Sequence, residues 1–582
     1  MKIKHLLIIL FLIITGESYS DNNNANTARP PITPFWALGH IIWEDSLNTQ
    51  AGTLELVNLY MEHDIAVDGV IIDSPWSTAY NDFNWDPNRF PNSNNMLDEL
   101  KLKGVKPILW TTGTVNLTGK DVPIQKCETY DYVKEMGYGI NNSEPTRWWK
   151  GEGIHIDFTN LEASNWWKTQ LNKVSNKIYG YKVDQAEAYF GDSVMTSIGK
   201  MPNKEFRKYY YDFMYDYAQE SKPGEGIVLA RPYSYQATET SASIQKMSLG
   251  WCGDFQGNYE GLIKQLKDIY QSSILGYGAV GCEIGGFSGA QATDSQFVRY
   301  CQFASMTASM INGGSNGPFS SHLPWQHNEV VNDIYKLYVS LHHELRPYIF
   351  STLVDCHFEG GGLIKNCDKD KIYHFLGNDI FCKPIVSDDL HVEFTIPGND
   401  EWIDFWDKTN TVKGGDLVTQ DYSLREMPLF IKKGAVIPLQ IKSELTGLGD
   451  SSMDGRVVLV ITPKGKINKV IHYPTSEGLD YDNITIKVDQ PANAIDIESD
   501  NPHDYSLIIW DENNCIIRKE VTGINCHVDY SMTNNVCGPT MSQRKNYYTL
   551  GGVLRTKDVG RGVYIEENID KTGRRTFQKI VK

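Results

Sequence analysis

Short apolar runs alternate with longer amphipathic stretches about eight times between residues 34 and 348, and this alternation constrains the fold most strongly. The runs are rich in β-branched and aromatic residues and are bounded by turn-forming residues, which is typical of strands. They lie at residues 34–43, 68–76, 105–113, 180–185, 226–233, 247–254, 278–286 and near 310–315. Helical patterns such as 53–63, 96–103 and 162–178 separate them. The alternation predicts an α/β fold, a (β/α)8 TIM barrel.

An open doubly wound sheet is the alternative that the same alternation allows. Such sheets commonly carry a glycine-rich phosphate loop after the first strand, and none follows residue 43. After residue 348 the pattern changes to short, alternating segments separated by turns, such as 371–386, 391–398 and 455–463. These segments predict one or two small all-β, sandwich-like domains after the barrel.

The pattern divides the chain into six parts. We expect a signal peptide at 1–20, a flexible leader at 21–33, the barrel at 34–352, a proximal β-domain at 353–445, a distal β-domain at 446–531 and a tail of unassigned structure at 532–582. Lys2 and Lys4 precede an apolar run at 6–14 that is too short to span a bilayer. This pattern predicts a secreted protein or one in the lumen of the secretory pathway, and an uncleaved anchor is the alternative.

Cysteines and glycosylation motifs agree with a secretory location. An oxidising compartment makes disulfides plausible, and the candidates are Cys356 with Cys367 and pairs among Cys515, Cys526 and Cys537. Spacing does not give their connectivity, and no Cys–His cluster has the spacing of a zinc site. Sequons that fit a glycoprotein occur at Asn116, Asn141 and Asn483.

Composition excludes two classes of partner. The formal net charge of −17 argues against nucleic acid, which requires a basic face. No stretch after the signal peptide is long and apolar enough to span a membrane. The 14 Trp, 32 Tyr and 21 Phe supply rings of the kind on which sugars stack, although most aromatic side chains fill cores.

Charged residues cluster where the predicted strands end, which is where barrel enzymes place their catalytic groups. These residues are Asp73, Asp184, Arg231, Asp254 and Glu283. Asp184 and Asp254 each follow an apolar run with aromatic and small neighbours. Two carboxylates at the strand ends of one barrel suit cleavage of a glycosidic bond, in which one acts at the anomeric carbon and the other protonates the departing oxygen.

An ordered series of motifs resembles glycoside hydrolase family 31, the retaining α-glycosidases that include α-glucosidases, α-xylosidases and some α-galactosidases. The resemblance covers residues 34 to about 438. The motifs are IDSPWSTAYNDFNWDPNRFPN from Ile72, IHIDFTNLEASNWW from Ile154, YKVDQAE from Tyr181, LARPYS from Leu229, SLGWCGDFQGNYEGL from Ser248, GCEIGGF from Gly281, EWIDFWDKTNTVKGG from Glu401 and MPLFIKKGAVIPL from Met427. A single motif is weak evidence for the family, whereas the ordered series of motifs is highly specific for it.

The resemblance implies separate roles for the two acids. Asp184 is expected to be the nucleophile that forms a glycosyl–enzyme intermediate, with Glu187 as the fallback. Asp254 is expected to be the general acid and then the general base. Lys182 and Arg231 are expected to keep Asp184 ionised and to bind sugar hydroxyls. No metal or organic cofactor is implied.

Five more residues are expected to bind substrate: Asp73, Trp110, Trp251, Glu283 and His322. The alternative readings are a turn or helix-cap acid for Asp73, a core residue for Trp110 and a satisfied buried histidine for His322. Trp251 and Cys252 also suit desolvation of Asp254. Glu283 stands where the family commonly has Asp, and Ser320 replaces an arginine before His322. Asp157 is expected to cap the helix that begins near Asn160.

The chain also departs from the family at its start, where most members carry a large β-sandwich before the barrel. An insertion at residues 114–153 is long enough to complete the site instead. The resemblance implies a retaining exo-α-glycosidase that hydrolyses terminal α-linked sugars of an oligosaccharide or glycoside, with α-glucosides first and α-galactosides next. A non-catalytic carbohydrate-binding or chaperone-like protein on the same barrel is the alternative.

Overall fold

The computed structural model describes residues 28–531 apart from 47, 185–188, 235–238 and 512–515, together with strands between residues 544 and 581. The expected signal peptide, most of the leader, and Glu187, Cys515 and Cys537 lie outside the described residues. A curled parallel sheet of eight strands is followed by all-β, mainly antiparallel sheets, as the sequence predicted. No helix in the described part of the chain is long and apolar enough to cross a membrane.

In its described residues, the barrel region contains fifteen strands and ten α-helices. Its first part comprises β1 (His40–Trp43), α1 (Gln50–Glu62), β2 (Gly69–Ile72), α2 (Ser93–Leu102), β3 (Lys106–Thr111), β4 (Thr114–Gly119), α3 (Tyr130–Glu135), α4 (Ile140–Ser143), β5 (Thr146–Trp148), β6 (Gly151–His155), α5 (Leu161–Leu171) and β7 (Gly180–Val183). Its second part comprises β8 (Ser193–Thr196), β9 (Gly199–Pro202), α6 (Asn203–Ser221), β10 (Ile227–Ala230), β11 (Tyr233–Ser234), β12 (Glu239–Thr240), β13 (Leu249–Gly250), α7 (Tyr259–Leu275), β14 (Cys282–Ile284), α8 (Asp294–Ala304), β15 (Met310–Asn312), α9 (Pro324–His327) and α10 (Glu329–Glu359).

Eight of these strands form the barrel, in the order β13-β10-β7-β3-β2-β1-β15-β14. A parallel bridge between Gly250 and Val280 joins the two ends of this order and closes the sheet. Each barrel strand falls inside one of the apolar runs. Strands buried on both faces need such runs, and β1, β2, β7 and β10 are buried along their whole length. All eight carboxyl ends therefore open on one face of the barrel.

The β-domains follow α10. The proximal strands are β16 (Ile364–Asp368), β17 (Tyr373–Leu376), β18 (Ile380–Cys382), β19 (His391–Thr395), β20 (Glu401–Asp404), β21 (Thr411–Lys413), β22 (Leu417–Asp421) and β23 (Leu429–Lys432). The distal strands are β24 (Val436–Leu439), β25 (Val457–Ile461), β26 (Lys466–Pro474), β27 (Tyr481–Asp489), β28 (Ala494–Trp510) and β29 (Ile516–Asp529). Beyond them lie β30 (Arg544–Thr549), β31 (Leu554–Arg555), β32 (Val563–Ile569) and β33 (Arg575–Val581), which form one antiparallel sheet.

Two elements lie close to expected domain boundaries. Helix α10 continues past residue 352, with a buried face that reaches Cys356, and ends at Glu359. Strand β24 precedes residue 445 and pairs with β25 of the distal sheet. An apolar pattern identifies an element without showing which neighbour it packs against, so both boundaries stay predictions.

The expected pairing of Cys356 with Cys367 is wrong. Both are free thiols, and so are Cys127, Cys252, Cys282, Cys301, Cys382 and Cys526. Six of the eight side chains are buried. Free cysteine packs as a small apolar residue, which accounts for these positions without a covalent bond.

A buried ion cluster joins the barrel floor, α10 and the distal sheet. Asp68, just before β2, accepts hydrogen bonds from Arg346 at 2.8 Å and His343 at 2.7 Å. Arg346 also contacts Glu477, in the turn between β26 and β27, at 3.2 Å. A Cβ atom at Gly39 would lie 2.0 Å from Asp68 Oδ2, so only glycine fits there. Burial alone would raise the pKa of Asp68, but His343 and Arg346 hold this pKa well below its usual range.

We expect Asp68→Asn to lower the free energy of unfolding by about 3–5 kcal/mol at pH 7, because it leaves Arg346 without its buried partner. The lowered pKa stabilises the fold above the unfolded value and this contribution is lost as pH falls below about 4, so the difference from wild type should shrink there. Denaturant unfolding measured from pH 3 to pH 7 checks both the loss at pH 7 and its decrease at low pH. Asp64→Asn is the control, since Asp64 is 83% exposed beside Lys336 and should cost less than about 1 kcal/mol. Equal losses in the two variants would contradict this role of Asp68.

Candidate active site

The carboxyl ends of the barrel strands bring the predicted charged residues together. Asp73 follows β2, Asp184 follows β7 and Arg231 follows β10. Asp254 lies in the segment after β13, and Glu283 lies within β14. Lys182 in β7 and Trp110 in β3 lie on neighbouring strands, since Trp110 is the register partner of Lys182.

Asp184 is held at both carboxylate oxygens. The Trp110 indole donates to Oδ2 at 3.3 Å, and the Arg231 guanidinium donates to Oδ1 at 3.1 Å. The backbone N–H of Asp184 donates to the Thr111 carbonyl at 2.9 Å, which continues the barrel ladder to this residue. The side chain is 15% exposed. A fixed, charge-compensated carboxylate that still reaches the pocket has the geometry of a nucleophile.

Asp254 shares the same guanidinium. Its Oδ1 lies 3.8 Å from Arg231 Nη2, and its side chain is 39% exposed, more open than Asp184. Partial burial raises the pKa of Asp254; Arg231 opposes this shift and the negative charge of Asp184 adds to it. A carboxyl group that keeps its proton to higher pH is suited to general acid catalysis.

Lys182 and Asp73 form a buried ion pair. Lys182 Nζ donates to Asp73 Oδ2 at 2.9 Å, and the two side chains are 5% and 6% exposed. Burial would lower the pKa of Lys182, but Asp73 and Glu283 outweigh burial and raise it. The ammonium lies 3.6 Å from the centre of the Trp43 ring and 4.8 Å from that of Trp251, so two aromatic faces also support its charge.

Trp251 supports the second cation as well. The Arg231 guanidinium carbon lies 4.2 Å from the centre of its ring, and the residue is 1% exposed. The structure thus places Trp251 beneath the charged groups of the site. Cys252 is also buried, and burial raises the pKa of its thiol.

Glu283 and His322 are more deeply buried than the two central acids, at 2% exposure each. Burial raises the pKa of Glu283 to about 8, against the opposing effect of Lys182. Burial lowers the pKa of His322 to about 4, and its Nε2 lies 2.7 Å from Asn316 Oδ1. His322 packs beside Gly285, where a Cβ atom would lie 3.1 Å from its ring. Sugar contact by either residue stays a prediction.

Two residues at the end of β1 belong to this cluster, and the sequence reasoning missed them. Trp43 contacts Lys182 as described, and Asp45 lies within electrostatic reach of Asp73, Lys182 and Asp254. Burial raises the pKa of Asp45 to about 6, Asp73 adds to this effect, and Lys182 opposes it. The sequence carried a signal for Asp45, because this acid follows the first apolar run just as Asp73 follows the start of the second.

The insertion between β3 and α5 reaches the same region. Its strands β4, β6 and β5 form an antiparallel sheet, and Lys150 in the β5–β6 turn exerts an electrostatic effect on Asp45. Asp157, which was expected to cap the next helix, instead accepts hydrogen bonds from Thr159 and Ser197, and Asn160 caps α5. Within the described ranges, no group of three or more His, Cys, Asp or Glu side chains is arranged to hold a metal ion.

Comparison with known proteins agrees with this architecture. The profile of the glycosyl hydrolases family 31 TIM-barrel domain matches residues 30–352, and that of the family's C-terminal domain matches residues 364–437. An alpha-xylosidase of Emericella nidulans is 24% identical over 76% of this chain and 58% of its own length. Alpha-glucosidase 2 of Bacillus thermoamyloliquefaciens is 25% identical over 84% of this chain and 64% of its own length. The chain thus spans less than two thirds of these two relatives.

Solved structures share the fold. A cycloalternan-forming enzyme from Listeria monocytogenes, in complex with a pentasaccharide substrate, superposes with a TM-score of 0.75 at 17% identity, covering 93% of this chain and 59% of that one. A family 31 dextranase from Flavobacterium johnsoniae, complexed with isomaltotriose, gives a TM-score of 0.72 at 19% identity, covering 83% and 64%.

The raised pKa of Glu283 predicts how stability depends on pH. Between the ordinary value of 4.5 and about 8, the folded chain keeps a proton that the unfolded chain releases. Wild type should therefore lose up to about 1.4 kcal/mol per pH unit from this group as pH rises through that interval. The glutamine in Glu283→Gln does not titrate. The free energy of unfolding of this variant should therefore increase relative to that of wild type as pH rises.

Denaturant unfolding of both proteins from pH 5 to pH 8 measures this difference. Glu99→Gln is the matched control, since Glu99 is 45% exposed and pairs only loosely with Lys103 at 3.6 Å. Parallel stability curves for Glu283→Gln and wild type would show that Glu283 is not a protonated buried acid.

Proposed function

This chain belongs to glycosyl hydrolase family 31, and on that premise we propose that it is a retaining, exo-acting α-glycosidase. The observation that carries the proposal is the guanidinium of Arg231, which contacts Asp184 at 3.1 Å and Asp254 at 3.8 Å through one nitrogen. The two carboxylate oxygens are therefore no more than about 7 Å apart, which excludes most of the inverting range of about 6.5–9.5 Å and spans the retaining separation of about 5–5.5 Å.

The first chemical step joins the sugar to Asp184. A carboxylate oxygen of Asp184 attacks the anomeric carbon while the bond to the departing oxygen breaks, and Asp254 gives its proton to that oxygen. In the second step Asp254 removes a proton from water, the water oxygen attacks the anomeric carbon, and the bond to Asp184 breaks. Asp254 ends protonated, so the enzyme returns to its starting state.

The neighbouring residues support these steps. Arg231 and Trp110 hold the attacking carboxylate in one orientation, which lowers the entropic cost of reaction. Asp73 and Lys182 present acceptor and donor groups at the same end of the barrel, where sugar hydroxyls require both. No step requires a metal or organic cofactor.

We propose terminal α-glucosides as the preferred substrates and α-galactosides as the next choice. The relatives named alpha-glucosidase, in bacteria, archaea and mammals, support glucose in the subsite of the cleaved sugar. A non-catalytic sugar-binding protein on the same barrel is the competing function. Asp184 and Asp254 both contact Arg231, which favours a catalytic function over a purely sugar-binding one, because a binding protein has no need of two closely spaced acids.

We also propose that the chain enters the secretory pathway, which the lysine-rich start and apolar run of its first twenty residues support. Its sequons then differ in accessibility. Asn116 is 0% exposed; its Nδ2 donates to the Thr118 and Lys150 carbonyls, and its Oδ1 accepts from Trp148. Asn483 is exposed on β27.

Asp184→Ala and Asp254→Ala should fail in different ways. Asp184→Ala should lose at least about 10⁴-fold in kcat/KM on aryl α-glucosides and on α-glucosyl fluoride, because both need the nucleophile. Asp254→Ala should lose about 10²–10⁴-fold on poor aryl leaving groups, yet far less on the fluoride, which leaves without a proton. Steady-state kinetics on the two substrate classes checks this.

Asp64→Ala, on the exposed surface, is the control and should retain wild-type rates. Equal rates for wild type and both active-site variants would overturn the proposed function. Sugar binding by calorimetry without turnover of any α-glycoside would establish the non-catalytic alternative.

Glycopeptide mass spectrometry of protein expressed through a secretory pathway should find a glycan on Asn483 and none on Asn116, since a glycan would replace one hydrogen of the buried Asn116 Nδ2 and so remove one of its two donated hydrogen bonds. Asn116→Gln should also destabilise the fold by about 1–3 kcal/mol through the lost buried hydrogen bonds, whereas Asn483→Gln should be nearly neutral. Full occupancy of Asn116 in folded protein would contradict the described packing.

A further inference from the structure

Asp45 lies in the bend two residues after the first barrel strand. Trp43, the last residue of β1, turns its ring toward Lys182 in the pocket. The charges of Asp73, Lys182 and Asp254 act on Asp45, which places it beside the same pocket. The charge of Glu44, the residue between them, affects Tyr60 of α1. Asn48 fixes the position, because its side-chain amide donates to the backbone carbonyls of both Asp45 and Ser74.

The two central cations are already committed to other acids. Lys182 is paired with Asp73 at 2.9 Å, and Arg231 is paired with Asp184 at 3.1 Å. Among the described residues no lysine or arginine forms an ion pair with the Asp45 carboxylate, and no group donates a hydrogen bond to it. The charges that act on Asp45 include those of Asp73, Lys182, Lys150 and Asp254, and Asp45 in turn raises the pKa of the neighbouring Glu44.

Lys150 does not neutralise the negative charge of Asp45, because its Nζ lies 3.8 Å from the carboxylate of Asp121, on the rim of the insertion. Among the described residues the Asp45 carboxylate thus has no donor of its own, and a bound molecule can supply one.

Resting on the proposed function, we propose that Asp45 is a specificity-determining residue that makes the site accept terminal sugars with neutral or ammonium substituents and reject sugars with an anionic one. Hydroxyl and ammonium groups donate hydrogen bonds to an unpaired carboxylate, whereas a sugar carboxylate or sulfonate only accepts them. Two negative charges in a partly buried site also repel each other strongly. The substrate class is thus a neutral or cationic α-glycoside.

The first arm of the experiment tests the proposed function alone, with wild type on an aryl α-glucoside. The second arm compares kcat/KM at pH 7 for three aryl α-glycosides that differ only at C6: the glucoside, the 6-amino-6-deoxyglucoside and the glucuronide. Wild type should prefer the first two over the glucuronide by about 100-fold or more. Asp45→Asn keeps the shape and removes the charge, so it should reduce this preference by about tenfold or more.

Asp121→Asn is the matched control, since it removes one negative charge beside Lys150 from a side chain that is 64% exposed. It should leave the preference within about twofold of wild type. An unchanged preference in Asp45→Asn, with a folded protein shown by its circular dichroism, would overturn the inference, and so would a wild type that cleaves the glucuronide as fast as the glucoside.

If wild type cleaves no α-glycoside, the proposed function fails and calorimetry decides the inference separately. Glucose and 6-amino-6-deoxyglucose should then bind to wild type, glucuronate should not, and Asp45→Asn should bind glucuronate measurably. Equal binding of all three sugars by wild type, or no gain in the variant, would contradict the role of Asp45.

Discussion

The site depends on one aromatic ring, the indole of Trp251, which lies against both of its central cations. The Lys182 ammonium is 4.8 Å and the Arg231 guanidinium carbon 4.2 Å from the centre of this ring. Each cation is also paired with an acid, Lys182 with Asp73 and Arg231 with Asp184, so one buried ring supports both ion pairs of the site.

The two acids proposed to be catalytic, Asp184 and Asp254, have different surroundings. Asp184 receives donors at both oxygens and is fixed on the strand ladder through Thr111. Asp254 lies farther from the same guanidinium, and partial burial together with the charge of Asp184 raises its pKa. The raised pKa of Asp254 suits the group that must donate a proton in retaining chemistry.

Much of this was predictable, because buried parallel strands need continuous apolar runs and polar residues mark their carboxyl ends. That rule located Asp73, Asp184 and Arg231. The rule missed Asp45 for two reasons. The first apolar run was taken to end at Trp43, and the effect of Lys150 on Asp45 connects residues that are far apart in the chain. Cysteine spacing failed for the same physical reason, since it carries no information on which strands and helices lie next to each other.

The central claim is that Asp184 attacks the sugar. Incubating purified protein with a fluorinated α-glucosyl inactivator, which forms a covalent intermediate that hydrolyses slowly, and mapping the labelled peptide tests it most directly. One sugar per chain should be attached to Asp184 in the wild type, and Asp184→Ala should carry no label. A label on Glu187, or turnover of α-glucosides with no covalent intermediate trapped, would contradict it.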